Sequence, residues 1–169
     1  MSRYVALLRA VNVGGTGKLP MTELSKLCVA AGFARVETYI ASGNVVFDSK
    51  ASAVKVREEL EARLHNFAGK PVGVIVRAAQ EMQAVLDANP FPKAPGNLTV
   101  VIFLEDKPAA GALREVSGKD GEELRLGTRE IYVFYPNGQG VSKLRIPAAK
   151  TGTARNMNTV AKLTALAAK

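Results

Sequence analysis

Two halves of this chain run through nearly the same succession of strands and helices, and that repetition limits the folds open to it. Residues 4–10 form a short apolar run with Val5, Leu7 and Leu8, the pattern of a buried strand. Pro20 fits the first turn of a helix, where its missing N–H removes no bond. Met21, Leu24, Leu27, Cys28 and Ala31 give that helix one apolar face, and Gly32 ends it. Residues 36–40 and 45–47 flank Ser42 and Gly43 as a hairpin. Residues 51–67 read as a charged helix with Val54, Leu60, Leu64 and Phe67 inward, and 72–76 as a strand. The first half is therefore β-α-β-β-α-β.

The second half opens with a helix at about Gln80–Asp87 and the turn Asn89-Pro90-Phe91-Pro92. Residues 98–104 are the most apolar strand, and 108–116 read as a helix. Residues 122–126 and 130–135 form a hairpin around Gly127 and Thr128, and 141–146 read as one helical turn. Thr153 is placed as the cap of a last helix with Met157, Val160, Leu163, Leu166 and Ala167 inward. The order is β-α-β-β-α. The repeat lies in element order, not in residue identity. Each order matches the split β-α-β, ferredoxin-like plait. The expected class is α+β, with two such plaits in tandem, antiparallel sheets and helices on one face. The expected domains are 1–88 and 89–169, the second with a C-terminal helix, or the two merged in one compact unit.

Composition excludes several kinds of chemistry. With 47% hydrophobic and 22% charged residues the chain is ordinarily globular. No apolar run approaches the ~18 residues of a membrane span, and the N-terminus lacks a signal-peptide plan. One cysteine fits a reducing compartment, so a cytoplasmic location with no membrane partner is expected. One histidine removes most zinc sites and most Ser/His or Cys/His nucleophile designs. No metal and no cofactor is expected.

The net charge of +8 is unevenly placed. Residues 1–22 carry Arg3, Arg9 and Lys18 and no acid. Residues 131–169 carry Lys143, Arg145, Lys150, Arg155, Lys162 and Lys169, again with no acid. The stretch between them is close to neutral. Basic segments attract anions, although an excess of Lys and Arg also simply keeps a surface soluble.

Each acid-free segment holds an unusual loop. Residues 12–18 (NVGGTGK) stand between a strand and a helix, the context of a phosphate-binding loop. The Walker pattern fails, because Asn12 replaces its first glycine and Leu19 its metal-binding hydroxyl. The alternative is that Gly14, Gly15 and Gly17 only let the chain turn. Residues 150–159 (KTGTARNMNT) place hydroxyls, amides and bases at a helix start, where an anion is favoured. There the alternative is local capping by Thr153, Asn156 or Asn158. Ser42, Gly43 and Asn44 read first as a hairpin turn, His65 as a solvated residue on a helix face, and Cys28 as a buried thiol. An RNA-recognition motif is disfavoured, since the central strands offer only Tyr4 and Phe47 for base stacking.

These segments resemble the bacterial domain-of-unknown-function family 1697 across nearly the whole chain. The resemblance rests on five motifs in order: Leu7-Leu8-Arg9-Ala10-Val11-Asn12-Val13-Gly14-Gly15, Lys18-Leu19-Pro20-Met21, residues 38–47 (TYIASGNVVF), Asn89-Pro90-Phe91, and residues 153–160 (TARNMNTV). The sequence departs at Ala10, Ala41 and Met157, where the family usually has Gly, Gln and Trp. The resemblance implies two ferredoxin-like units and supplies no reaction, substrate or catalytic residue.

The expected function is binding of an anionic, phosphorylated ligand, either a small molecule such as a nucleotide or a nucleic acid backbone. The candidate site residues are Arg9, Asn12, Gly14, Gly15, Lys18, Ser42, Asn44, Lys143, Arg145, Thr153, Arg155 and Asn156. Two alternatives stay open: an enzyme acting on a phosphorylated or anionic small molecule, and a protein-interaction module. The sequence does not decide the oligomeric state.

Overall fold

The computed structural model describes residues 1–9, 18–40 and 43–169. Asn12, Gly14, Gly15 and Ser42 lie outside the described residues. Among the described residues, eight strands and four helices form in the order β1 (Ser2–Leu8), α1 (Met21–Ala30), β2 (Ala34–Tyr39), β3 (Asn44–Ser49), α2 (Ala53–Ala68), β4 (Val74–Ala78), α3 (Ala79–Asp87), β5 (Thr99–Phe103), β6 (Glu123–Leu126), β7 (Glu130–Phe134), β8 (Thr153–Asn156) and α4 (Met157–Ala167). They build two four-stranded sheets, β2-β3-β1-β4 and β6-β7-β5-β8, antiparallel throughout. In both, the third strand of the set slots between the first and the second, which is the split β-α-β plait. The expected α+β fold of two such plaits is what the chain adopts. It divides into two compact units, Met1–Gln83 with Leu163–Lys169, and Ala84–Lys162.

In the first unit, alternate residues of the sheet face α1 and α2. Tyr4, Ala6 and Leu8 of β1, Val45 and Phe47 of β3, and Val74 and Val76 of β4 pack against Leu24, Cys28, Val56, Leu60 and Leu64. Phe33 stacks on Phe47 with ring centroids 4.3 Å apart. Pro20 is the N-cap of α1 and so stands just before its first turn. Ser52 caps α2 by accepting from the Lys55 N–H, and Gly69, at φ 72°, ends it in the left-handed region. Val54 and Phe67, expected inward on α2, are instead 54% and 44% exposed. Val56, Leu60 and Leu64, spaced by four, form a narrower stripe that suffices to cover the sheet.

The other face of this sheet is buried as well, with Val5, Leu7, Val46 and Ile75 out of solvent. That is why β1 reads as a continuous apolar run rather than an alternating one. Arg3 shares the face of Val5 and Leu7, and its Nε donates to the Leu166 carbonyl in the last turn of α4 at 3.2 Å. Its Nη1 donates to Asp48, which also pairs with Arg35.

In the second unit the sheet residues Val100, Ile102, Leu104, Leu124, Ile131, Val133 and Tyr135 pack against Leu113, Val116, Leu144, Ile146, Ala148 and Ala149. The crossovers that are helices in the first unit are irregular here. Of the helix expected over 108–116, only a 3₁₀ turn at Ala112–Glu115 forms. Leu113 and Val116, three apart, pack against the core, and one tight turn satisfies that spacing. The helical turn expected over 141–146 is replaced by 3₁₀ turns at Gln139–Val141 and Pro147–Ala149, with extended chain between them bridging Arg145 to Ser117.

Strand β8 went unseen in the sequence, and Thr153, expected as a helix cap, lies inside it. The cap of α4 is Asn156, whose Oδ1 accepts from the Thr159 N–H at 2.9 Å. Helix α3 starts by the complementary device: the Glu81 carboxylate accepts from the Ala78 N–H at 2.9 Å. Both helices thus follow the last strand of their plait without a linking loop.

Candidate functional site

β1 finishes at the end of the first sheet where β3 begins. Asn44 stands opposite Leu7 at the start of β3. Its side chain is buried and its Nδ2 donates to the Tyr39 carbonyl at 2.9 Å, closing the β2–β3 hairpin. One residue beyond β1, the Arg9 N–H donates to the Gly73 carbonyl at 2.9 Å. The Arg9 side chain lies over the same glycine, where an added Cβ would come to 3.0 Å from Arg9 Cδ. A side chain at 73 would therefore crowd the arginine.

Arg9 lines an open groove of about 430 Å³ with Glu61, Ala62, His65, Pro71, Val72 and Gly73. Glu61 is engaged there: it pairs with Arg57 at 3.7 Å and accepts from the Val74 N–H at 3.3 Å. His65, exposed on α2 as expected, thus also stands in the groove of Arg9, which the sequence reading did not foresee. The signal for it was available only in combination: His65 is in the last turn of α2, and the short link from Gly69 to β4 folds that turn back beside the end of β1. Lys18 is exposed and precedes α1.

The remaining candidates belong to the second unit. Thr153, Arg155 and Asn156 share β8, paired with β5. Arg155 is buried, and its Nη1 donates to Thr153 Oγ1 at 2.7 Å and to the Ala154 carbonyl at 2.9 Å. Burial pushes its pKa down to about 10, so it remains a cation at neutral pH. Asn156 is occupied as the cap of α4. Lys143 and Arg145 are exposed on the connection before β8, and the backbone of Arg145 is bridged to Ser117 in both directions. In this unit the structure gives most of the expected anion residues local work: capping, strand pairing and turn closure.

Among the described residues no group of three or more His, Cys, Asp or Glu side chains could hold a metal ion. None of the described helices is long and apolar enough to cross a membrane.

The sequence model of the family described as "Protein of unknown function (DUF1697)" matches residues 1–132. The chain belongs to the DUF1697 family. Four of the five motifs quoted above fall inside the match, and the motif at 153–160 lies beyond it. Among solved structures the chain is similar to a conserved bacterial protein, SP0830, from Streptococcus pneumoniae. The two share 25% identity over 98% of each chain, with a TM-score of 0.81, so the likeness between them extends through both plaits. No curated protein matches the chain.

Proposed function

We propose that the chain binds a small anionic, phosphorylated ligand at the groove of Arg9. The observation that carries this reading is the position of Arg9, whose side chain lies over Gly73 in a groove that it shares with His65. The next residues in sequence are the glycine-rich segment, with Lys18 at its far end. A guanidinium supplies a fork of donors that matches phosphate oxygens, and glycine-rich backbone adds N–H donors at close approach.

The groove also favours a second reading, an enzyme acting on such a ligand. His65 brings an imidazole into the groove that Arg9, a cation suited to stabilising negative charge, also lines.

Calorimetric titration of the purified chain with inorganic phosphate, pyrophosphate, ATP and a single-stranded oligonucleotide, each at two salt concentrations, tests both readings. Binding of a phosphate compound that weakens with salt and falls about tenfold or more in Arg9→Ala supports the proposal. Binding that Arg9→Ala leaves unchanged, or none at low salt, overturns it. Turnover of a bound phosphate ester that His65→Gln abolishes while binding persists would select the enzyme reading.

A further inference from the structure

Strand β6 is an open edge of the second sheet. Among the described residues it pairs with β7 alone. In that hairpin the Gly127 N–H donates to the Glu130 carbonyl, so the ladder to β7 is made by residues 127, 125 and 123. Leu124 and Leu126, between them, turn their N–H and C=O groups to the side away from β7. Such an edge is a template for another strand unless something blunts it.

The corresponding edge of the first sheet is blunted. β2 slips register between Ala34 and Glu37, with Arg35 at φ 47°, and α1 packs beside it. β6 keeps one register along all of its residues. The crossover before it has shrunk to the 3₁₀ turn at Ala112–Glu115, and an open groove of about 410 Å³ runs beside the strand. Leu113, Val116 and Leu124 supply the apolar part of its lining.

The charges on β6 decide which strand fits it. The side chains of Glu123 and Arg125 are both more than half exposed, on the face of the sheet opposite to Leu124. Within one chain their charged atoms are 4.0 Å apart; Arg125 Nη1 donates to the Leu124 carbonyl at 2.8 Å, and the guanidinium lies over the Phe91 ring. Charges on an edge usually keep strands apart. A strand with one charge of each sign, two residues apart, instead matches its own inverse. Two copies of β6 laid antiparallel about Leu124 set each Glu123 opposite the partner's Arg125. These are non-hydrogen-bonded pairs, the closer kind, with Cα atoms about 4.5 Å apart. Leu124 and the partner's Leu124 then exchange both N–H···O bonds, since a carbonyl has a second lone pair beside the one Arg125 uses. Their side chains meet on the core face, next to Leu113 and Val116. A pairing centred one residue on sets Arg125 against the partner's Arg125, and like charges oppose it.

We propose that β6 pairs antiparallel with β6 of a second copy of this chain, centred on Leu124, and joins two four-stranded sheets into one continuous sheet. The edge is short, so the pair is weak and reversible. Its register is set by the two Glu123–Arg125 contacts.

The test is sedimentation equilibrium of the full chain at low salt, from about 10 µM to about 1 mM. The expected result is a mass that rises with concentration from that of one chain toward that of two. Arg125→Glu and Glu123→Arg each set like charges opposite one another and are expected to weaken the pair about tenfold or more. Both side chains are exposed, and circular dichroism of each variant checks that it folds. An equimolar mixture of the two single variants restores opposite charges, as does the chain carrying both changes, and each is expected to recover the dimer. A chain that stays monomeric at about 1 mM overturns the proposal and leaves the edge to a strand of another protein. A dimer that either single reversal leaves unchanged, or that the double reversal fails to restore, overturns it as well.

Discussion

Arg77 and Arg155 occupy the same position in two different sheets. Arg77 on β4 stands opposite Val5, and Arg155 on β8 stands opposite Val101; Val5 and Val101 lie on the central first strand of each plait. On their other sides these valines face Val46 and Tyr132. Both arginines are buried, and each donates through Nη1 to the carbonyl of the residue before it, at 3.3 and 2.9 Å. In both cases a helix begins two residues later. The tandem repeat therefore extends beyond element order to register and to a matched buried cation.

Arg155→Ala is accordingly expected to act on stability. Removing the guanidinium breaks its bond to the Thr153 hydroxyl and leaves a gap on β8, a loss of about 2 kcal/mol. Urea unfolding of the variant checks this. A midpoint equal to that of the parent chain would show that the buried hydrogen bonds contribute nothing.

The two tyrosines of the second unit should behave differently on loss of their hydroxyls. Tyr132→Phe breaks a buried bond to the Val85 carbonyl and leaves that acceptor unpaired, which costs about 1–2 kcal/mol. Tyr135→Phe removes a hydroxyl with no partner among the described residues and should change stability by less than about 0.5 kcal/mol. Paired thermal and urea melts distinguish the two.

Asp48 links Arg35 and Arg3 and gives the first unit an acid-sensitive fastening. Its pKa is lowered in the fold, chiefly by the hydrogen bond from Arg35, with burial opposing and Arg3 adding to the effect. A carboxylate with a depressed folded pKa contributes stability in full above its ordinary value of 3.8, and loses it as pH falls through the lower folded value. Asp48→Asn should therefore unfold more easily at pH 7, by about 3 kcal/mol because Arg3 is left buried without its counter-charge. The gap between variant and parent should narrow below about pH 3. Denaturation at pH 7 and pH 2.5 measures both arms, and a gap that stays constant would refute the assignment.

Cys28 should resist thiol reagents in the native chain. It is fully buried in the first core, and burial pushes its thiol up to about 12, so almost no thiolate exists at pH 8. Labelling with a chromogenic disulfide is expected to proceed only after denaturant is added. Stoichiometric reaction with the folded chain would count against the packing of α1.

Much of this molecule was legible because its signals are local. The run around Val5, Leu7 and Leu8 marks a strand buried on both faces, Gly69 marks the end of α2, and the element order of the first half names its plait. Legibility failed where an element depends on a distant partner. Strand β8 spells Thr153-Ala154-Arg155-Asn156, with no apolar alternation, and becomes a strand only because β5 offers an unpaired edge. The residues before it and those from 108 to 116 carry too few apolar positions to cover a sheet as helices, so they fold as turns around a cavity.

The candidate sites divide in the same way. By itself the sequence determined the fold class, the two basic segments and the glycine-rich segment, because composition and periodicity are properties of the chain. Only tertiary structure decided which of those residues are engaged locally. It occupied Asn156 with a helix cap and Arg155 with β8, brought His65 into the groove of Arg9, and set Glu122 and Tyr135 in the lining of one pocket. The physical reason is that a side chain's chemistry is set by what desolvates it and what reaches its polar atoms. Those neighbours, 13 residues away for Glu122 and Tyr135 and 56 for Arg9 and His65, are brought together only by the folded chain.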